Sequence, residues 1–133
     1  MVLLDTNVCI RLLRGDSLRV GERLGRLDPS EVRISAVTKA ELHYGARHSA
    51  RPAENLRLLE RFWAPLLSLP FDDRCAEHYG AIRADLASRG RPIGPNDLMI
   101  AAVARAHGLT LVTHALGEFS RVPDLRLEDW EAA

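Results

Sequence analysis

A chain of 133 residues, 47% hydrophobic and 27% charged, has the length and apolar share of one folded domain, which excludes a disordered polymer. Its formal net charge of zero excludes a protein that grips nucleic acid by bulk charge alone, while leaving a local basic patch open. No apolar stretch approaches the roughly 20 residues of a membrane span, and two separated cysteines, Cys9 and Cys75, match no metal-ligand spacing, so a cytoplasmic protein with free, buried thiols is expected.

Val2 to Leu4 form a short apolar run, read as a buried strand. Val8, Ile10, Leu12 and Leu13, with Arg11 and Arg14 between them, suit a short helix ending near Gly15. Asp16 or Ser17 caps a second helix through Leu18, Val20, Leu24 and Leu27, which Pro29 stops. "EVRISA" alternates polar and apolar residues and is a second strand. Ser35 or Thr38 starts a helix over "VTKAELHYGARH", with Val37, Glu41 and Tyr44 or Gly45 on one stripe. Pro52 opens the helix "PAENLRLLERFWAPL", and "LLSLP" is a third strand. Asp72 or Asp73 begins a long helix from Cys75 and Tyr79 through Ile82 and Leu86 to Gly90. After the Gly/Pro-rich break "RGRPIGPND", Gly94 caps and Pro95 opens the helix "NDLMIAAVARAHG". "LTLVT" is a strand and "LRLEDW" a last one. Short apolar strands separated by helices predict a parallel sheet covered on both faces. With no repeat, low-complexity tract or dividing linker, residues 1–133 read as one domain.

Three acids lie where such a fold concentrates chemistry. Asp5 follows the first strand, and ligands of open parallel sheets bind beyond the strands' carboxyl ends, where strand order reverses. Each acid also has a purely structural reading. Asp5 is a good helix cap, Glu41 fits a solvated helix face beside Lys39 and His43, and Asp97 sits in a first helical turn, where the dipole favours negative charge. If the three converge, those roles no longer suffice. Carboxylates brought close raise one another's pKa. A hard divalent cation such as Mg²⁺ or Mn²⁺, taking oxygen ligands, removes that penalty and supports phosphodiester hydrolysis without a Ser, Cys or His nucleophile.

"LLDTNVCI", "ISAVTKAELHYGA" and "IGPNDLMIAAVARAHGLTLVTHALGEFSRVPDLRLEDW", in that order along essentially the whole chain, closely resemble the PIN domain of VapC-type toxins from bacterial toxin–antitoxin pairs. The resemblance implies a three-layer α/β/α fold with a central parallel sheet of about four or five strands. It implies an Mg²⁺- or Mn²⁺-dependent ribonuclease held inactive by a cognate antitoxin. Carried over by position, Asp5 and Asp97 are the direct metal ligands, and Glu41 binds metal directly or through water. Thr6 and Asn7 orient Asp5 or contact substrate, and Thr113 faces the same cleft. One departure stands out: many relatives carry Asp or Asn where this chain has Ala115. Glu118 supplies a replacement carboxylate if its segment forms a helical turn; a solvated loop acid is the other reading. Restoring Asn or Asp at 115 is expected to raise nuclease activity.

The alternative left open by Ala115 is a catalytically silent module that binds antitoxin or RNA. A receiver-like phosphoryl-transfer protein would want Asp-x-Asp after the first strand, and Asn7 holds that second position. His43, His48, His78, His107 and His114 form no metal pattern along the chain, and Trp63, Phe62 and Trp130 read as core or interface. Arg11, Arg14 and Arg47 fit either the border of the site or a solvated face. The expected partners are an antitoxin that lays an apolar or Arg-bearing segment near the acids, an RNA substrate, and a second copy joined through "AENLRLLERFW" and "LHYGARH".

Overall fold

The computed structural model describes residues 1–132. Strand β1 (Val2–Leu4) leads into α1 (Thr6–Arg14) and α2 (Leu18–Gly25). A 3₁₀ turn at Pro29–Glu31 precedes β2 (Val32–Ser35), α3 (Ala36–Arg47), α4 (Pro52–Trp63) and β3 (Leu67–Leu69). The hairpin of α5 (Asp73–Ser88) and α6 (Pro95–Ala106) follows, then β4 (Thr110–Val112), the single turn α7 (Leu116–Phe119) and β5 (Leu127–Glu128). The five strands form one sheet in the order β3-β2-β1-β4-β5, and every neighbouring pair is parallel.

Side chains of successive strand residues point to opposite faces of a sheet, and the core divides accordingly. Leu3 and Leu111 pack with Ile82, Leu86, Ile100, Val103 and Phe119 beneath α5, α6 and α7. Their neighbours Leu4 and Val112 pack on the other face with Val8, Ile34, Leu42, Leu59 and Trp63 beneath α1 to α4. This is the expected three-layer arrangement. The helix boundaries follow local chemistry. Ser17 caps α2, Ser35 caps α3 and Asp72 caps α5, each accepting from an amide of the first turn. Gly15 ends α1 in the left-handed conformation that costs glycine least.

The chain builds outward from β1 to β2 and β3, then returns to place β4 on the other side of β1. Strand order therefore reverses between β1 and β4, and the carboxyl ends of these strands carry Asp5 and Thr113. The 3₁₀ turn and α7 are not evident as elements in the sequence pattern. α7 is the helical turn that Glu118 required.

Candidate active site

Asp5 occupies the capping position of α1, yet its carboxylate makes no cap hydrogen bond. Its backbone N–H instead extends the sheet ladder to the Val112 carbonyl at 3.0 Å. Its carboxylate accepts from the Thr113 hydroxyl at 2.8 Å. Asp5 is 2% exposed, and burial raises its pKa, an effect opposed by the Thr113 hydrogen bond and reinforced by Glu41 and Glu118. A cap is thus not what holds this acid in the interior.

Glu41 reaches the same place from α3. Thr6 donates to its Oε1 at 2.7 Å, and the Thr6 and Thr38 hydroxyl oxygens lie 3.0 Å apart. Since Thr6 spends its one proton on Glu41, Thr38 must donate to Thr6. Ser35 in turn donates to Thr38 at 3.3 Å and accepts from the Thr38 amide at 3.1 Å. This line of hydroxyls runs from the end of β2 to the Glu41 carboxylate. Ser35 and Thr38 are both fully buried. In the sequence they carry only a helix-start signal, because their partner Thr6 lies 32 residues from Thr38.

Asp97 enters from the first turn of α6. Burial lifts its pKa to about 7, with a hydrogen bond and charge from Glu118 and the charges of Asp5 and Glu41 adding to the rise. Glu118, on α7, also accepts from the Gly94 amide at 3.0 Å, which ties α7 to the start of α6. Ala115 contributes no polar side-chain group here; it packs against the core and its N–H donates to the Thr113 hydroxyl at 3.0 Å. Asn7 is exposed and lines the cleft without approaching the core.

A cleft of about 330 Å³ is lined by Asp5, Thr6, Asn7, Glu41, Asp97 and Arg14, among others. Arg14 is its one cation. The lining offers carboxylate, hydroxyl and amide oxygens, and neither imidazole nor thiol. Such a donor set, in which burial and the neighbouring acids raise the Asp97 pKa, fits a hard divalent cation and no soft one. The cleft carboxylates are spaced more widely than a closed cage requires: among the described residues, the ligand-capable triplets that fall within 4.8 Å lie elsewhere, at Asp72–Cys75–His107 and His114–Asp129–Glu131. Sequence spacing conceals both triplets, because each is assembled from separate elements.

Beyond the cleft, Ile10, Leu13, Leu42, Leu58, Leu59 and Phe62 line a groove of about 540 Å³ between α1, α3 and α4. Ile10, Arg14, Leu42 and Gly45 border both cavities, so the groove opens directly onto the acids. No helix among the described residues is long and apolar enough to cross a membrane.

Residues 2–125 match the model of the PIN domain. The chain is 44% identical over 128 residues to a tRNA(fMet)-specific endonuclease VapC of Salmonella typhimurium, covering 96% of each protein. It is 40% identical, with the same coverage, to a Ribonuclease VapC2 of Haemophilus influenzae. A crystal structure of DNA-bound VapBC from Salmonella typhimurium superposes with a TM-score of 0.92 at 44% identity, covering 98% of this chain and 99% of that one.

Proposed function

From the premise that this chain belongs to the PIN-domain family, in its VapC-type branch, we propose that it is a divalent-metal-dependent endoribonuclease acting as the toxin of a toxin–antitoxin pair in the cytoplasm. The observation that carries the proposal is the meeting of Asp5, Glu41, Asp97 and Glu118, from four separate segments, at the point where strand order reverses. Three acids lining a partly buried cleft, with Glu118 beside Asp97, cost stability. A cation that neutralises them gives that cost a function.

Asp5 and Asp97 are the direct ligands of Mg²⁺ or Mn²⁺, Glu41 binds directly or through water, and Glu118 supplies the acid that position 115 lacks. When bound, the ion stabilises charge on the phosphate and makes water a competent nucleophile at neutral pH. Thr113 fixes the orientation of Asp5, and the Ser35–Thr38–Thr6 hydroxyls fix that of Glu41. Arg14 offers its guanidinium to a substrate phosphate at the mouth, and Asn7 contacts the same strand.

Relatives named tRNA(fMet)-specific endonucleases, at 44–46% identity, make initiator tRNA the substrate of first choice. The silent-module alternative is not favoured, since Glu118 keeps a fourth carboxylate beside Asp97. The antitoxin sets apolar side chains in the groove between α1, α3 and α4 and extends an arginine over the acids, matching the apolar lining and the anionic cleft it adjoins. A second copy packs on the remaining face of α3, where Tyr44 is 68% exposed.

The test is cleavage of purified initiator tRNA in Mn²⁺. Cleavage is expected, with loss in EDTA and in Asp5→Ala. Cutting that persists in Asp5→Ala would sink the reading.

A further inference from the structure

Two triplets of ligand-capable side chains lie outside the cleft. Ion pairing accounts for one of them: the His114 ring is 3.0 Å from Asp129, and Glu131 pairs with Arg11. The other holds no ion pair among the described residues, only weaker contacts of the Asp72 carboxylate with Cys75 and the charge of His107. Asp72, Cys75 and His107 each bring one ligand atom within 4.8 Å of the other two, and they come from opposite arms of one hairpin. Asp72 caps the start of α5, Cys75 lies in its first turn, and His107 caps the end of α6.

We propose that Asp72, Cys75 and His107 form a binding site for a borderline-soft divalent cation, Zn²⁺ in particular, that fastens the beginning of α5 to the end of α6. The donor set is one carboxylate oxygen, one sulfur and one imidazole nitrogen, the mixture that Zn²⁺ accepts and Mg²⁺ does not. Two of the three ligands are already positioned. Oδ1 of Asp72 accepts from the Cys75 amide at 3.1 Å, which fixes that carboxylate beside the thiol. The Cys75 side chain is fully buried, and its sulfur has weak contacts with the Pro70 carbonyl, at 3.7 Å, and with the Asp72 carboxylate. The His107 ring is exposed and has no hydrogen-bond partner among the described residues, so it can turn onto the ion. Three protein donors leave a fourth tetrahedral position for water. Binding releases the thiol proton to solvent, and the thiolate bonds to the ion.

The site is separate from the acid cleft. His107 lies ten positions beyond Asp97 along α6 and its cap, about 15 Å at the helical rise. The cleft has no sulfur donor in its lining. A thiolate–metal signal therefore reports this site alone, and its failure would leave the nuclease reading untouched.

The experiment is titration of the full chain with Co²⁺ as a spectroscopic substitute, followed by displacement with Zn²⁺. One Co²⁺ per chain is expected to produce a sulfur-to-cobalt charge-transfer band that Zn²⁺ abolishes. The band should vanish in Cys75→Ala and His107→Ala and weaken in Asp72→Ser, which keeps the helix cap. It should remain in Asp5→Asn. In Asp5→Asn, which lacks a cleft ligand, Zn²⁺ should also raise the unfolding temperature, and adding His107→Ala, at an exposed position whose replacement leaves the core intact, should remove that rise. Absence of the band in the unaltered chain, or its survival in His107→Ala, overturns the assignment.

Discussion

Asp97 shows how the cleft acts on a single residue. Its carboxyl, ordinarily near 3.8, is raised to about 7 by burial and by the acids around it. Between those values the folded protein binds more protons than the unfolded chain, so stability must fall as pH rises. Without divalent metal, the contribution of Asp97 to stability should be fully present below about pH 4 and be lost progressively up to about pH 7. Urea unfolding in EDTA across this range measures the slope. Asp97→Asn should flatten it, and saturating Mn²⁺ should offset it; an unchanged slope in Asp97→Asn would show that another group governs the dependence. Thr113 makes the complementary case. Thr113→Val removes the 2.8 Å bond to Asp5 while nearly preserving shape. Loss of such a partner typically costs about 10–100-fold in metal affinity or activity. Metal titration of the cleavage rate distinguishes this from a folding defect, since a folding defect would not shift the metal concentration at half-maximal rate.

Among the elements, α3 couples fold and chemistry most directly. Ser35 ends β2, caps α3 and begins the hydroxyl line to Glu41. Ser35→Ala should therefore cost about 1 kcal/mol of stability as a lost cap, and cleavage should fall as well. Asp28 caps the surface 3₁₀ turn with no link to the cleft. Asp28→Ala should lower stability slightly and leave cleavage unchanged. Denaturation and turnover measured on both variants separate the two effects. The same contrast marks where sequence reading stops. β1 and β4 are legible because a strand buried on both faces is a plain apolar run, and α6 because Gly94 and Pro95 announce its start. Ser35 is legible as a cap through local geometry. Its service to Glu41 is not, because Thr6, the hydroxyl that closes the line, belongs to another helix. α7 escapes for a related reason. Four residues including Gly117 have little helical preference of their own, and burial of Phe119 holds the turn in place.

At the scale of the whole molecule, the sheet separates two hydrophobic clusters and leaves its carboxyl edge to the acids. Phe119 is fully buried in one cluster and adjoins Glu118 in the chain. Phe119→Ala should cost about 3–5 kcal/mol and release α7 with it, lowering both the unfolding temperature and the activity of what remains folded. Phe119→Leu, which keeps most of the apolar volume, should recover much of both. The strand order was beyond reach of the sequence, since the return of β4 to the side of β1 depends on how α5 and α6 cover the sheet.

The bond from Thr113 to Asp5 spans 108 residues. The amino-terminal strand is made first, and the strand that completes its acid-bearing edge is made among the last. While a ribosome is still working through the middle of the message, the half-made polypeptide has its first acid and nothing to hold it. A product cut short before β4 lacks the partner of Asp5, and on the proposed function it is expected to leave RNA uncut.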